Sequence, residues 1–541
     1  MEPSKYAFVA MIFVLVFSCS KNLDTPAQTL DVAAPLSTAE VTMSMATTVL
    51  TGLKGDGSDE TKTIQAAINA NAGKILVIPA GTYFTGQLKL VSNLVLKGSN
   101  VKLRMVQGPL DNRMISLKEL SNVEISGIEI ALNGITGSIW DGTAAIELQN
   151  CSNVKIHNCF IHDNTYVAIR LIGGNNNIRI SNNFIENTDV GVHTNNTNTN
   201  INIVSNTISK GTSEGVTIYG YDNQNYPTNF LIDSNIITGK KNFGINIPFA
   251  KFGTITHNTI KDCYGGITLH DPVSTGNDNY YTTDMTIKNN VINNATFGIV
   301  YVGDRTTITN NLISNIQQSG VSINNFTNTS IITTGVTVNS NTMTGTGLAG
   351  GGAAGISINN LTASDISGNS ITSCGQSSSS IRFNGNCSNI TITSNNCGNG
   401  MLQSPNTTYP STIKVMKNTL PQTYFPVSAS SYSNFHLIVS GNRYTSDTTY
   451  NTAPDDSGKY NDINSFCIRT QYSLAAGTVR YIVPSWTGRV VTLYSTNSFT
   501  VEQGNNLVLK TGAGSVAKVP VKGRISLQFD GQWWKEVSRS F

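Results

Sequence analysis

Short segments with alternating apolar side chains recur along most of the chain. Each begins with glycine or alanine and continues with two mostly aliphatic residues separated by one other residue, as in Gly215-Val216-Thr217-Ile218. The segments begin at Ala145, Ala168, Gly191, Gly215, Gly244, Gly266, Gly298, Gly320 and Gly355. Alternation with a period of two indicates β-strands, and separations of 22 to 35 residues fit one turn of a coiled sheet between successive segments.

A second motif of the form Ile-x-x-Asn-x-Ile lies between these segments. Its asparagines are Asn183, Asn206, Asn235, Asn258, Asn290, Asn311, Asn341, Asn369 and Asn395. Because an amide side chain both donates and accepts, equivalent asparagines on stacked strands can form a hydrogen-bonded ladder. Asparagine also tolerates the left-handed backbone of a sharp corner. The two motifs together predict an all-β chain, a parallel β-helix (β-solenoid) whose rungs are about 4.8 Å apart.

Composition agrees with a regular, weakly charged β-structure. Asparagine occurs 64 times, whereas only 12% of the residues are charged, against about 25% in a typical soluble protein. The formal net charge of +3 excludes a strongly basic nucleic-acid-binding protein. The cysteines show no metal-ligand spacing. Cys159 and Cys397 fall on core or turn positions of the repeat and are expected to be small buried apolar residues, while disulfides remain an alternative.

The N-terminus is interpreted as a targeting segment. Lys5 precedes an apolar run, and Val16-Phe17-Ser18-Cys19 resembles the lipobox of bacterial lipoproteins, which implies lipidation of Cys19. A plain secretory signal is the alternative. Ser20-Lys21-Asn22-Leu23-Asp24 resembles a signal that sends lipoproteins to the cell surface. The prediction is a signal peptide over 1–19, a tether over 20–51, and an outer-membrane lipoprotein that meets the membrane only through its lipid.

The next residues carry a resemblance to a known superfamily. Gly55-Asp56-Gly57-Ser58-Asp59-Glu60-Thr61, Ile64-Gln65-Ala66-Ala67-Ile68 and Pro79-Ala80-Gly81-Thr82-Tyr83 resemble the opening of right-handed parallel β-helix proteins of the pectate-lyase superfamily. The resemblance implies a short N-terminal capping helix and a right-handed β-helix over 52–425. It does not select a reaction, because that superfamily holds lyases, glycoside hydrolases, epimerases and phage tailspikes.

The periodicity ends before the C-terminus. A linker is predicted over 426–459 and a small β-domain over 460–541, because this last region shows short strands separated by turns. Its final segment, Leu527 to Ser540, is similar to terminal β-domains of phage tail proteins, which implies a homotrimer as an alternative to a monomer. Trp533 and Trp534 are expected to pack in the domain or at an interface, and stacking on sugar rings is the second interpretation.

Charged and imidazole side chains gather on one predicted sheet. The residue between the two aliphatic positions of each segment is expected to point to solvent, and long loops are expected at 220–229 and 271–284. Candidate catalytic residues are Arg170, His193, Tyr219 and His270. Candidate substrate-binding residues are Glu147, Asp189, Tyr221, Asp222, Tyr226, Asp271, Tyr280 and Tyr281.

Each candidate also has a purely structural interpretation. Arg170 is as well placed to pair with Glu147 as to bind substrate, and lone surface histidines often have no function. Tyr219 is equally suited to packing against a loop. Asp189 belongs to Asn187-Thr188-Asp189, which matches one polygalacturonase motif, but the other motifs of that family are missing at suitable positions, so the match is interpreted as accidental.

Three functions remain. A polysaccharide lyase would use Arg170 to neutralise a uronate carboxylate, His193 or His270 as base, and Tyr219 as base or acid. A glycoside hydrolase would need two carboxylates about 5 to 9.5 Å apart, from among Asp189, Asp222 and Asp271. The third function is a glycan-binding or structural β-helix without catalysis. The prediction is a surface-anchored lyase acting on an extracellular polysaccharide, without a cofactor; calcium is an alternative that no acidic cluster supports.

Overall fold

The computed structural model describes residues 45–106, 113–132, 143–221, 224–269, 282–324, 332–349, 353–375, 378–398, 401–403, 411–420, 422–424, 435–440, 443–444, 459–460, 471–474, 477–482, 488–510 and 516–541. Several predictions lie outside these residues. They are the signal peptide with Cys19, and the candidates Asp222, His270, Asp271, Tyr280 and Tyr281.

The described part of the chain forms a long right-handed parallel β-helix, as expected from the sequence. Between Thr47 and Tyr444, 44 strands belong to one sheet system in which each strand pairs in parallel with strands of the neighbouring turns. Each turn contributes strands to three stacks, here called sheets 1, 2 and 3. Val95–Met105 and Ser121–Ala131 pass from sheet 2 to sheet 3, and Phe160–Ile172 and Phe184–Asn195 pass from sheet 3 to sheet 1.

The remaining strands each belong to one sheet. Sheet 1 contains Leu88–Lys89, Arg113–Lys118, Ala144–Gln149, Val216–Tyr219, Phe243–Asn246, Gly265–Leu269, Phe297–Tyr301, Val321–Ile323, Ala354–Asn359, Ser379–Asn384, Met401–Gln403 and Gln422–Tyr424. Sheet 2 contains Thr47–Val49, Ile75–Ile78, Ser152–His157, Asn176–Ser181, Thr199–Val204, Thr228–Asp233, Lys251–Thr256, Thr282–Thr283, Thr286–Lys288, Gly303–Asp304, Thr307–Thr309, Thr333–Thr334, Thr337–Asn339, Leu361–Ser367, Ser388–Thr393, Ser411–Met416 and Phe435–Ser440. Sheet 3 contains Gly81–Thr85, Thr207–Ser209, Ile236–Thr238, Thr259–Lys261, Val291–Ala295, Leu312–Ile316, Thr342–Thr344, Ser370–Thr372, Asn396–Cys397, Thr419–Leu420 and Arg443–Tyr444.

The interior is filled by stacked aliphatic side chains. Ile169, Val192, Val216 and Ile245 follow one another on paired strands, and each is fully buried. Strict alternation places every second residue inside, so one side chain per rung repeats at the strand spacing of about 4.8 Å. This is the physical basis of the repeat seen in the sequence.

The asparagine ladder is confirmed. Asn258 Nδ2 donates to Asn290 Oδ1 at 3.0 Å, and Asn258 Oδ1 accepts from Asn235 Nδ2 at 2.9 Å. The same pattern extends from Asn183 to Asn418, one residue beyond the predicted set. Each of these amides is buried and also bonds to backbone groups, so the ladder satisfies the polar groups of the corner between sheets 2 and 3.

The residue with the left-handed backbone is not the ladder asparagine, contrary to the sequence-based interpretation. It is the residue before it, as at Ser234, His257 and Asn289, whose φ angles are 56°, 53° and 55°. The ladder residue must keep an ordinary backbone, because both its amide nitrogen and its side chain bond to the next rung. The strained position therefore accepts several residue types, and asparagine is needed one residue later.

The predicted capping helix is Thr61–Ala70, and its buried side chains Ile64 and Ile68 join the core.

The solenoid is longer than predicted at both ends. Thr47–Val49 lies in the predicted tether but pairs with Ile75–Ile78, and Phe435–Ser440 lies in the predicted linker but pairs with Ser411–Met416. Apolar alternation is weak in these short end strands, so the pattern alone missed them.

The C-terminal region has its own core. Its strands are Lys459–Tyr460, Gln471–Ser473, Thr478–Val479, Tyr481–Ile482, Val490–Tyr494, Phe499–Glu502, Leu507–Val508, Val516–Val519, Arg524–Phe529 and Trp534–Ser540. Several of their pairings are antiparallel, unlike the solenoid. Trp534 is fully buried against Phe529, so packing, the first of the two interpretations, applies to it. Cys159 and Cys397 are buried free thiols.

Candidate functional site

Two columns of side chains run along the outer side of sheet 1. The first, called the site column, consists of Glu147, Arg170, His193, Thr217 and Asn246, which occupy paired positions on five successive strands. The second, called the edge column, lies three residues earlier on the same five rungs and consists of Ala144, Val167, Val190, Glu214 and Phe243. The Asn246 amide reaches Glu214 at 3.4 Å, so the two columns face the same side.

The site column is in the predicted register, but its side chains are buried instead of solvent-exposed. Glu147, Arg170 and His193 are only 2%, 8% and 7% exposed. Neighbouring side chains in a parallel column lie about 4.8 Å apart and cover one another. In addition, Ala144, Val167 and Val190 of the edge column form a small buried apolar cluster beside them. Substitutions here are therefore not the neutral surface changes that exposed positions would allow.

Two arginines share one carboxylate at the start of the site column. Arg113 Nε lies 3.0 Å from Glu147 Oε1, and Arg170 Nη1 lies 3.5 Å from Glu147 Oε2. The predicted ion pair of Arg170 with Glu147 is thus present. Burial, which Glu147 partly offsets, lowers the pKa of Arg170 from its ordinary value. Two guanidinium groups therefore face the carboxylate of Glu147, and they make this end of the column rich in hydrogen-bond donors.

His193 is the next residue of the column. Burial, together with the charge of Arg170, lowers the pKa of its imidazole to about 3. The ring is therefore neutral near pH 7. Its Nδ1 atom is buried and has no hydrogen-bond partner among the described residues.

Unpartnered polar atoms recur on four consecutive strands of this column. They are Arg170 Nε, His193 Nδ1, Thr217 Oγ1 and Asn246 Oδ1, each buried and without a partner in the described part of the chain. Buried polar atoms in folded proteins are nearly always hydrogen-bonded, because an unmade bond costs about 1–3 kcal/mol. A row of donors and acceptors left open in register is the arrangement expected of a site that binds a polar ligand.

The low pKa of His193 predicts a specific acid sensitivity. In the unfolded chain this imidazole has a pKa of about 6.5, so between pH 6.5 and 3 the unfolded state binds a proton that the folded state does not. The free energy of unfolding should therefore fall as the pH drops through that range. Urea unfolding at pH 7 and pH 4 measures the loss. It should be smaller in His193→Leu, and an equal loss in both proteins would contradict the buried neutral imidazole.

The other described candidates lie near these columns with different surroundings. Asp189 is half-buried, and its carboxylate accepts a hydrogen bond from Thr212. Tyr219 is half-buried on the strand of Thr217. Tyr221 is 69% exposed at the start of its loop. The ring of Tyr226 packs against Phe249 and lies under the ammonium group of Lys251, and the residue is half-buried.

Glu214 is a candidate that the sequence pattern did not reveal. Its carboxylate accepts from the amides of Asn242 at 2.7 Å and Asn246 at 3.4 Å, and it is only half-buried. It stands directly before the repeat glycine Gly215, a position not included in the predicted outward columns. Reading the residues three positions before each member of the site column, such as the one before Thr217, would have included Glu214.

A lysine holds the corner beside Asp189. Lys240 is buried, and its Nζ donates to the carbonyl oxygens of Thr188, Asp189 and Lys210 at 2.6, 3.0 and 2.7 Å. Its burial lowers its pKa to about 8. These three bonds fix the backbone from which the Asp189 side chain projects. We assign Lys240 a structural role.

Comparison with known proteins adds one family. Residues 93–280, 188 of the 541, match the model of the family described as periplasmic copper-binding protein (NosD). No curated protein matches the chain. Within the described ranges, no three His, Cys, Asp or Glu side chains come together in a way that could hold a metal ion, so we derive no step through copper. No helix in those ranges has the length and apolar character needed to cross a membrane.

Three of the solved structures with a similar fold are enzymes named for polysaccharides. A family 28 exopolygalacturonase of Yersinia enterocolitica shares 15% identity over 64% of this chain and 78% of its own, with a TM-score of 0.47. A GH87 α-1,3-glucanase of Streptomyces thermodiastaticus shares 16% over 75% and 71%, with a TM-score of 0.49. The polygalacturonase of Erwinia carotovora shares 16% over 64% and 96%, with a TM-score of 0.44. These likenesses are too distant to argue a reaction. The chain is a right-handed parallel β-helix protein that is similar to the NosD family over residues 93–280.

Proposed function

We propose that this protein is an exported, lipid-anchored enzyme that binds an acidic polysaccharide along the outer side of sheet 1 and cleaves it by β-elimination. The observation that carries the proposal is the row of buried, unpartnered polar atoms on Arg170, His193, Thr217 and Asn246. A polysaccharide offers hydroxyl and carboxylate groups at regular intervals along its length. A ladder of donors and acceptors repeating about every 4.8 Å suits such a ligand.

The uronate carboxylate is assigned to the arginine end of the column. Arg170 Nε has no hydrogen-bond partner among the described residues, so a substrate carboxylate is assigned to bond there. Neutralising the carboxylate acidifies the hydrogen on the adjacent ring carbon and stabilises the negative charge that develops when this hydrogen leaves.

The elimination then needs a base and an acid. His193 is neutral and its buried Nδ1 has no partner among the described residues, so we assign it to take the proton from the ring carbon. Burial is the main cause of its low pKa, and a bound carboxylate would offset only the second cause, the charge of Arg170, and so raise the basicity in part. As the carbon–hydrogen bond breaks, a carbon–carbon double bond forms and the glycosidic carbon–oxygen bond breaks. Tyr219, beside this column, is assigned to protonate the departing oxygen.

A glycoside hydrolase is the second candidate, and Glu214 favours it. Gly191 N donates to Glu214 O at 3.2 Å, so Glu214 lies one rung beyond Val190, the residue after Asp189. Neighbouring rungs are about 4.8 Å apart, which is compatible with the carboxylate separation of a retaining hydrolase. Both side chains are half-buried, so a sugar could reach them.

One experiment separates the two reactions. Purified protein is incubated with polygalacturonate, alginate, chondroitin sulfate and a neutral glucan, and both ultraviolet absorbance and new reducing ends are followed. A lyase raises the absorbance on uronate substrates, and Tyr219→Phe should lower that rate by about 10²-fold while Glu214→Gln retains it. Reducing ends without absorbance, lost in Glu214→Gln, would replace the lyase by the hydrolase. Neither signal on any substrate would overturn both.

A further inference from the structure

Three aromatic rings contact one another on the outer side of sheet 1, beyond the site column. Tyr264 meets Phe243 edge-on at a centroid distance of 5.8 Å, and meets Phe297 edge-on at 5.6 Å. Phe243 and Phe297 are close to parallel, with their planes 26° apart and their centroids 6.4 Å apart. We call this group the aromatic platform.

A glycine makes the platform possible. Phe243 pairs with Gly265, and Gly265 pairs with Phe297, so the two phenylalanines occupy alternate rungs with a glycine between them. A Cβ atom at Gly265 would lie 2.2 Å from Cε1 of Phe243. The ring of Phe243 therefore lies over the bare backbone of the intervening strand. Any larger residue at this position would push the ring away from Phe297.

The platform continues the candidate site and is open to solvent. Phe243 follows Glu214 in the edge column, because Gly215 N donates to Phe243 O at 3.2 Å. Asn242, its neighbour in sequence, donates to the Glu214 carboxylate at 2.7 Å. Tyr264 is 47% exposed. An aromatic residue in a stable core would be covered, whereas this ring combines an exposed surface with fixed neighbours.

We propose that the aromatic platform is a sugar-binding subsite, on which one ring of the polysaccharide stacks while its acidic residue lies at Arg170. This inference rests on the proposed function. It adds the direction of the bound polysaccharide, which runs along the solenoid axis from Arg170 towards Phe297. Phe243 is two strands from His193, or about 10 Å at the rung spacing. Pyranose rings present apolar C–H faces, which pack on rigid aromatic rings, and the Tyr264 hydroxyl can bond to a sugar hydroxyl at the same time.

The test compares Tyr264→Ala with Phe184→Ala. Phe184 is a matched control because it is 42% exposed, contacts another ring (Phe160, at 5.3 Å) and lies in the sheet 3 part of its strand. Affinity is measured by retardation in gels containing polygalacturonate or alginate, and kinetics by ultraviolet absorbance. Tyr264→Ala should weaken binding and raise KM by about 3- to 10-fold with kcat nearly unchanged, since a stacking contact remote from the reacting bond acts on binding. Phe184→Ala should stay within about 2-fold of wild type.

The outcomes distinguish the subsite from the reaction. Tyr264→Trp should keep the affinity if stacking is the role, whereas loss in every variant at this position would show that the platform is only packing. If Tyr264→Ala binds like wild type while His193→Leu loses activity, the subsite is wrong and the proposed enzyme stands. If wild-type protein is not retarded in either gel, both the subsite and the proposed function are contradicted.

Discussion

Replacing His193 by leucine should lower kcat on a uronate polysaccharide by about 10²-fold or more, without lowering the stability of the fold. The first effect is the usual scale for losing a general base. The second follows because Nδ1 of this buried ring has no partner among the described residues, so an apolar side chain of similar size removes an unmet polar atom. Initial rates by ultraviolet absorbance and thermal unfolding at pH 7 measure the two quantities.

His162 provides a matched control for which the opposite effects on stability and kcat are expected. It is also nearly buried, but it lies in sheet 3, and both of its ring nitrogens are partnered, by Asp163 at 2.8 Å and Glu129 at 3.1 Å. His162→Leu should therefore lower the free energy of unfolding by about 1–3 kcal/mol and leave kcat unchanged. If His193→Leu behaves like this control, losing stability and keeping activity, then His193 is a structural residue and the base lies elsewhere.

Asn258→Leu should lower the free energy of unfolding by about 3 kcal/mol or more. Asn258 Nδ2 donates to Ile232 O and Thr256 O at 2.8 and 3.0 Å, and also to Asn290 in the ladder. Its Oδ1 accepts from both Asn235 N and Asn235 Nδ2. Leucine removes all of these bonds in a fully buried site, and each partner left unmet costs about 1–3 kcal/mol. Urea unfolding followed by circular dichroism measures the change.

The exposed corner asparagines give the comparison for this prediction. Asn177 Nδ2 donates to Asn153 Oδ1 at 2.8 Å at the surface, and its φ angle is 56°. Asn177→Gly keeps that backbone conformation available while deleting the side chain, so it should cost less than about 1 kcal/mol. Equal unfolding midpoints for wild type and Asn258→Leu would show that the buried ladder does not hold the rungs together.

The sequence predicted the register of the site because a solenoid repeats. Arg170, His193 and Thr217 stand at the same place in successive segments, and stacking equivalent segments puts them on paired positions. The same reasoning predicted the asparagine ladder, because each ladder asparagine stands at the same position in its repeat. Neither prediction required knowledge of a distant contact, since in this fold each rung touches the rungs next to it in the chain.

Burial and side-chain partnership were decided only by the tertiary structure. Alternation says that Glu147 and His193 face away from the core, but it does not say how much water remains on that side. The ion pair of Arg113 with Glu147, and the unpartnered Nδ1 of His193, depend on side-chain distances that no repeat encodes. Glu214 was missed because the predicted columns left out the residue directly before the repeat glycine, and its contacts with Asn242 and Asn246 are visible only in the structure.

By itself, then, the sequence determined a parallel β-helix, its rung order and the column that bears Arg170 and His193, because local alternation and a repeating offset are enough to stack identical coils. The tertiary structure decided that this column is buried, that its polar atoms are left open on four successive strands, and that Phe243, Tyr264 and Phe297 meet across Gly265. The physical reason is that register follows from the backbone, which repeats, whereas solvation and contact follow from the size and direction of each side chain, which do not.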